Sequence, residues 1–302
     1  ARGTVVRRFS SDATPPAAGP VAAPSQAMDP AAARRRTDSL TALGVMPSAL
    51  RPLAAAGGGG GGFGGGRGGF GGGGFTQRVP NSVGLNTFTW NLQLEGGTTF
   101  PGMIMWAAGG AAGPTIVPGR YTVNLTIGER LETAVLEVRK DPRSTATAAD
   151  FQAQFDLLIT VRDKTSVANQ MVIDIRAARA ELVDRVAKAP AARRAALERS
   201  TNALADALSA VEQEVYQVKN QSGQDPLNYP IRLNNKIAAL YGVVASGDGP
   251  PTAQSREVFQ LLSDSLDIQV GRMRTAVERL LPPVNAELGR LGLEAVRIEA
   301  PR

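Results

Sequence analysis

The chain has 302 residues, enough for about two domains of ordinary size, and 43% of them are hydrophobic and 20% charged. It contains neither cysteine nor histidine, which excludes disulfides, thiolate nucleophiles, Cys-based metal centres and every mechanism that runs through an imidazole base or ligand. The net charge of +6 sits wholly in residues 1–80, which hold nine Arg and three Asp, while the remainder holds 24 basic and 24 acidic residues.

No stretch of the sequence approaches the roughly 20 apolar residues that a membrane-spanning helix requires. The first residues show neither an initiator Met nor the apolar core of a signal peptide, so the sequence is expected to begin inside a longer protein. Residues 4–9 mix β-branched and aromatic side chains with polar ones and predict a first strand within residues 1–11. Residues 12–83 are rich in Ala, Pro, Gly and Ser and predict a flexible low-complexity insertion, with a short helix over residues 29–43 opened by Asp29-Pro30 and stopped by Gly44. Within the glycine tract of residues 57–74 only Phe63, Arg67 and Phe70 interrupt the glycines, and no phosphate-binding pattern is present. The tract reads as a linker rather than a nucleotide or nucleic-acid site.

Short strands are predicted from residue 84 to residue 141. Residues 87–92 alternate, residues 103–106 form an apolar run, residues 120–127 put Tyr121, Val123, Leu125 and Ile127 on one face, and residues 131–138 close the set. Pro118-Gly119 and Gly128-Glu129 mark turns. This spacing predicts a small antiparallel β-sandwich of immunoglobulin-like type, in which Trp90, Trp106 and Tyr121 pack in the core rather than stack on sugar rings.

Residues 142–302 change to helical periodicity. One apolar seam runs from Leu158 to Val186 and ends before Pro190, a second from Leu197 to Val218, and a third from Phe259 to Leu280 before Pro282-Pro283. A shorter amphipathic piece lies between Ile231 and Val244. The expected fold class is therefore segregated α+β, a small sandwich followed by an up-and-down helical bundle. Asp156, Asp163, Asp174, Glu181 and Asp184 lie among Arg162, Lys164, Arg176, Arg179 and Arg185, which predicts a charged surface with Glu181 paired to Arg185 rather than a glycosidase pair. Arg179, inside the seam, is expected at an edge of the interface with its stem packed and its head in water.

Four phrases carry a resemblance: Phe88-Thr89-Trp90-Asn91-Leu92, Phe100-Pro101-Gly102-Met103-Ile104-Met105-Trp106, Pro118-Gly119-Arg120-Tyr121-Thr122-Val123 and Glu137-Val138-Arg139-Lys140-Asp141-Pro142-Arg143. They look like the C-terminal region of bacterial exported proteins described as sortilin-like or BNR-repeat glycosyl-hydrolase-like, in which a β-propeller precedes an immunoglobulin-like module and a helical tail. The propeller is missing here, so the resemblance transfers no catalytic residue. It implies a periplasmic or cell-surface setting, peripheral to the membrane. A propeller-less chain of this kind also resembles an accessory subunit of an envelope complex such as a bacterial reaction-centre and light-harvesting assembly.

The sequence thus predicts a non-catalytic structural subunit that needs no cofactor or metal, binds other protein subunits, and takes neither nucleic acid nor a small-molecule substrate. The partner-binding candidates are Val5, Arg7 and Phe9 on an open strand edge, the basic cluster Arg34, Arg35 and Arg36, which can also meet an anionic membrane surface, and Phe63, Arg67 and Phe70. The competing expectations are the tail of a propeller-bearing exo-enzyme and a carbohydrate-binding module.

Overall fold

Tyr121, Val123, Leu125 and Ile127 do share one face of a strand. In the computed structural model, which describes residues 5–11, 78–108 and 112–299, β1 (Gly119–Ile127) pairs antiparallel with β2 (Arg130–Val138). Gly128 and Glu129 form the two-residue turn, with Gly128 at φ +59°, a conformation glycine adopts without steric cost. Tyr121 faces Leu136, Val123 faces Ala134 and Leu125 faces Glu132.

The β-sandwich is not formed. The described residues contain a single two-stranded sheet, and neither residues 5–9, 87–92 nor 103–106 belong to a strand. Outside the hairpin, one isolated bridge joins Gln93 to Thr115, held by Leu94 N–H to Pro114 O at 2.9 Å and Ile116 N–H to Leu92 O at 2.9 Å. Glycine is required beside it: a Cβ on Gly113 would lie 2.0 Å from the Leu94 carbonyl oxygen.

The predicted apolar run instead lies as an extended strap on the helices, and helix side chains take the place of neighbouring strands. Thr98 N–H donates to Ser166 Oγ at 3.0 Å, and Asn169 Nδ2 donates to Thr98 O at 2.7 Å. Ile104 N–H donates to the Tyr216 hydroxyl at 3.1 Å. Asn235 closes a two-way clamp on Trp106, accepting from its N–H at 2.6 Å and donating to its carbonyl at 2.7 Å. A strap satisfied in this way needs no β-ladder, which is why the strand signal in residues 103–106 did not produce a strand. Asn235 is buried, and Asn235→Ala withdraws both partners at once. Urea unfolding should show a loss of about 1–3 kcal/mol, with faster amide exchange at Ile104 and Trp106.

The helices are α1 (Ala148–Lys188), α2 (Ala191–Val215), α3 (Leu233–Val244) and α4 (Ala253–Arg290), with a 3₁₀ turn at Asp225–Leu227. Thr147 and Asp150 start α1 with a capping box: the Thr147 hydroxyl accepts from Asp150 N–H at 3.2 Å and Asp150 Oδ2 accepts from Thr147 N–H at 2.8 Å. Pro190 ends it, because the residue before a proline is pushed out of helical backbone; Ala189 sits at φ −70°, ψ 144°. The predicted seam residues Leu158, Val161, Val172, Ile175 and Leu182 of α1, and Leu197, Leu204, Leu208 and Val211 of α2, are all buried. They form one core with Ile237 of α3 and with Leu266, Met273 and Leu288 of α4. Helix α2 packs along α4, and α3 fills the space between α1 and α4.

Helix α4 does not stop at Pro282-Pro283 but runs through them to Arg290. Both prolines face solvent, where the carbonyls they leave unpaired can bind water, and the next turn buries Val284 and Leu288 completely. The chain then reverses at Gly292, φ +68°, and Asn285 pins the returning segment by bonds to both main-chain groups of Val296, at 2.9 and 3.0 Å.

Candidate interaction surface

Among the described residues, hairpin β1–β2 stands clear of the helices with its apolar side chains uncovered. On one face Val123, Leu125 and Ile127 are 45%, 49% and 65% exposed; on the other, Leu131 and Val135 are 59% and 63% exposed. Among the described residues no helix packs against either strand, and each strand keeps one unpaired edge. The polar positions are neutral overall: Arg130 pairs with Glu132 at 2.7 Å and Arg139 with Glu137 at 2.8 Å. Tyr121 anchors the hairpin base, its hydroxyl donating to Val117 O at 2.6 Å, and its partial burial raises the phenol above its ordinary range.

The segment carrying Val5, Arg7 and Phe9 lies against residues 79–90 rather than forming a strand. Phe9 meets Phe88 with ring centroids 4.7 Å apart and Trp90 at 6.3 Å. Arg7 lies over the Phe9 ring at 5.2 Å, and among the described residues its buried Nη1 finds no hydrogen-bond partner. Val5 is exposed, and Val79 N–H donates to Ser10 O at 3.1 Å. Arg34, Arg35, Arg36, Phe63, Arg67 and Phe70, like the short helix expected over residues 29–43, lie outside the described residues. Trp90 and Trp106 are half-buried, Trp90 donating from Nε1 to Gln93 O at 2.8 Å, so neither forms the centre of a sandwich.

The bundle interior holds a charged cluster that the seam pattern concealed. Glu212 of α2 takes Arg176 Nε at 2.6 Å and Arg179 Nη1 at 3.1 Å, with the side chains of Glu212 and Arg179 only 4% and 3% exposed. Arg179 is therefore not at an interface edge but inside the core. Burial lowers its guanidinium from the ordinary range, against the opposing pull of Glu212. Arg176 also lies over Phe100 at 4.9 Å and over Tyr216 at 5.2 Å, and those two rings meet edge to face at 5.0 Å. Burial raises the Tyr216 phenol. Every member of this cluster is occupied by another, and its chemistry is that of a clamp between the strap and the helices.

The acidic residues distribute otherwise than the sequence suggests. Arg185 bonds Asp184 at 2.6 Å and Glu294 of the returning segment at 3.0 Å, rather than Glu181. Burial opposes ionisation of Asp184, yet Lys188 and Arg185 together hold its carboxyl below the usual range. Burial pushes the Asp174 carboxyl up, with Glu299 adding to the effect against the hydrogen bond from Gln170. Among the described residues no group of three His, Cys, Asp or Glu is placed to hold a metal ion, and no helix is long and apolar enough to cross a membrane. The signals that could have revealed the clamp and the strap were polar residues inside apolar stripes: Arg179 and Asn169 on α1, Glu212 beside Val211, and the pair Asn234-Asn235. The chain matches no protein-family description, no curated protein and no solved structure.

Proposed function

We propose that this chain is a non-catalytic binding subunit of a bacterial envelope assembly, in which the hairpin receives an extended strand from a partner protein. The observation that carries the reading is the exposure of five large apolar side chains on β1 and β2, since an isolated two-stranded hairpin is marginal in water and gains from a covering layer. Strand addition suits it: free main-chain edges supply affinity, and Val123, Leu125 and Ile127 supply apolar contact. The exported setting rests on the resemblance of the four phrases quoted above, and the narrower setting of a reaction-centre and light-harvesting assembly rests on the separate likeness of a propeller-less chain of this kind to such an accessory subunit. The basic arm of residues 1–80 gives such a subunit a second attachment to an acidic protein or lipid surface.

The test compares the isolated chain with the native assembly purified in mild detergent. Amides of residues 119–138 should exchange at least tenfold more slowly in the assembly than alone. A Leu125→Thr/Ile127→Thr chain should keep its far-UV melt yet fail to enter the assembly. Equal exchange in both states, or normal incorporation of the double variant, would overturn the reading.

A further inference from the structure

Helix α4 carries a second stripe on the side opposite its buried one. Glu257, Leu261, Asp264, Ile268, Arg272, Thr275 and Arg279 follow one another at spacings of four and three, and all are exposed. Leu261 and Ile268 are 66% and 62% exposed, unusual for large aliphatic residues on a bundle helix. The stripe spans 23 residues from Glu257 to Arg279, about 33 Å of helix.

Its charges are arranged antisymmetrically about Ile268. Four residues before it stands Asp264 and four after it Arg272; eleven before it stands Glu257 and eleven after it Arg279. Among the described residues neither Glu257 nor Arg279 has an ion-pair or hydrogen-bond partner. Asp264 accepts from Gln260 at 2.7 Å and Arg272 donates to Gln269 at 3.1 Å, and neither has an ion pair. An acidic half and a basic half separated by an apolar centre are self-complementary under a two-fold axis and repulsive in parallel.

A groove of about 610 Å³ runs beside the basic half, between α2 and α4. Small side chains floor it, Ala207 and Ala210 from α2 and Gly271 and Ala276 from α4, and Thr275 lines its wall. Under a two-fold axis at Ile268, Leu261 of a second copy falls opposite Thr275, at this groove.

We propose that two copies of this chain pair through α4 in antiparallel orientation about Ile268. Each Asp264 meets the second copy's Arg272, each Glu257 meets its Arg279, and each Leu261 enters the opposing α2–α4 groove. The occupant is a second copy rather than an unrelated helix because the acidic and basic halves match only each other in number and spacing, the requirement of an isologous interface.

The test is the association of the full chain by sedimentation velocity over a range of concentrations. The unmodified chain should form a dimer whose dissociation constant rises with salt. Asp264→Arg and Arg272→Asp, each alone, should weaken pairing roughly tenfold or more by setting like charges face to face, and the combined Asp264→Arg/Arg272→Asp chain should recover it. Ile268→Asp should leave the far-UV spectrum, and the thermal melt at concentrations low enough for the monomer, unchanged, since the residue is exposed, while abolishing the dimer. The Leu125→Thr/Ile127→Thr chain should dimerise normally, which separates this interface from the hairpin. A monomer at all concentrations, a dimer indifferent to these charges, or failure of the combined variant to recover would each refute the pairing.

Discussion

Glu212→Ala should lower the unfolding free energy by about 3–5 kcal/mol, the cost of removing one member of a buried ion pair and leaving the other charge inside. The size follows from burial rather than from the number of bonds. Arg179 is 3% exposed, and its Nε already lacks a hydrogen-bond partner, so without Glu212 it keeps little to offset desolvation. Arg176 is less affected, because it reaches water and rests on Phe100 and Tyr216. The paired replacement Arg179→Met/Glu212→Leu should cost less than Glu212→Ala alone, since it removes the desolvated charges together. Urea unfolding of the three chains gives the comparison. A loss below about 1 kcal/mol for Glu212→Ala would mean that Arg179 reaches solvent in solution and that the cluster does not hold the bundle together.

Val172→Asp should be at least as damaging. Val172 is fully buried on α1, in the core where Met171, Ile175 and Leu204 are also fully buried. A carboxylate there has no water to receive it, and the guanidiniums one and two turns on, Arg176 and Arg179, are already held by Glu212, so it costs several kcal/mol. Since a domain of this kind has about 5–15 kcal/mol in all, the bundle should unfold or melt at a much lower temperature, as read by far-UV circular dichroism. Val258→Asp, at a position 43% exposed on α4, is the control and should change stability by no more than about 0.5 kcal/mol. If the two chains melted alike, the seam assigned to α1 would be wrong.

The helical half was legible in the sequence because a stripe at spacings of three and four has one economical use, facing other helices. Leu158 to Leu182 and Leu197 to Val211 are buried as their periods require. The sandwich was misread because alternation reports that one side of a segment is covered, not by what. Residues 103–106 are covered by Tyr216 and Asn235, contacts between positions more than 100 apart in sequence, which a local pattern cannot carry. Pro282-Pro283 was taken as a stop because a local rule assigns it one, whereas Val284 and Leu288 reward continuation. The pairing expected between Glu181 and Arg185 lost to Asp184 and to Glu294, which the reversal at Gly292 brings back to α1. The hairpin was legible as a hairpin; its exposure was not, because that depends on the absence of covering strands among the described residues.

The clamp of Asn235 on Trp106 joins residues 129 apart in the chain. During synthesis at about 5–20 residues per second, Trp106 is added to the chain roughly 6–26 s before Asn235. For that interval Trp106 has no Asn235 to hold it, while the hairpin downstream, whose strand pairing is all local, can close within microseconds. The nascent chain therefore presents the strap before α3 exists to clamp it. A factor that holds unfinished chains can rest on the strap in that interval, and α3 competes for the same segment once it is made.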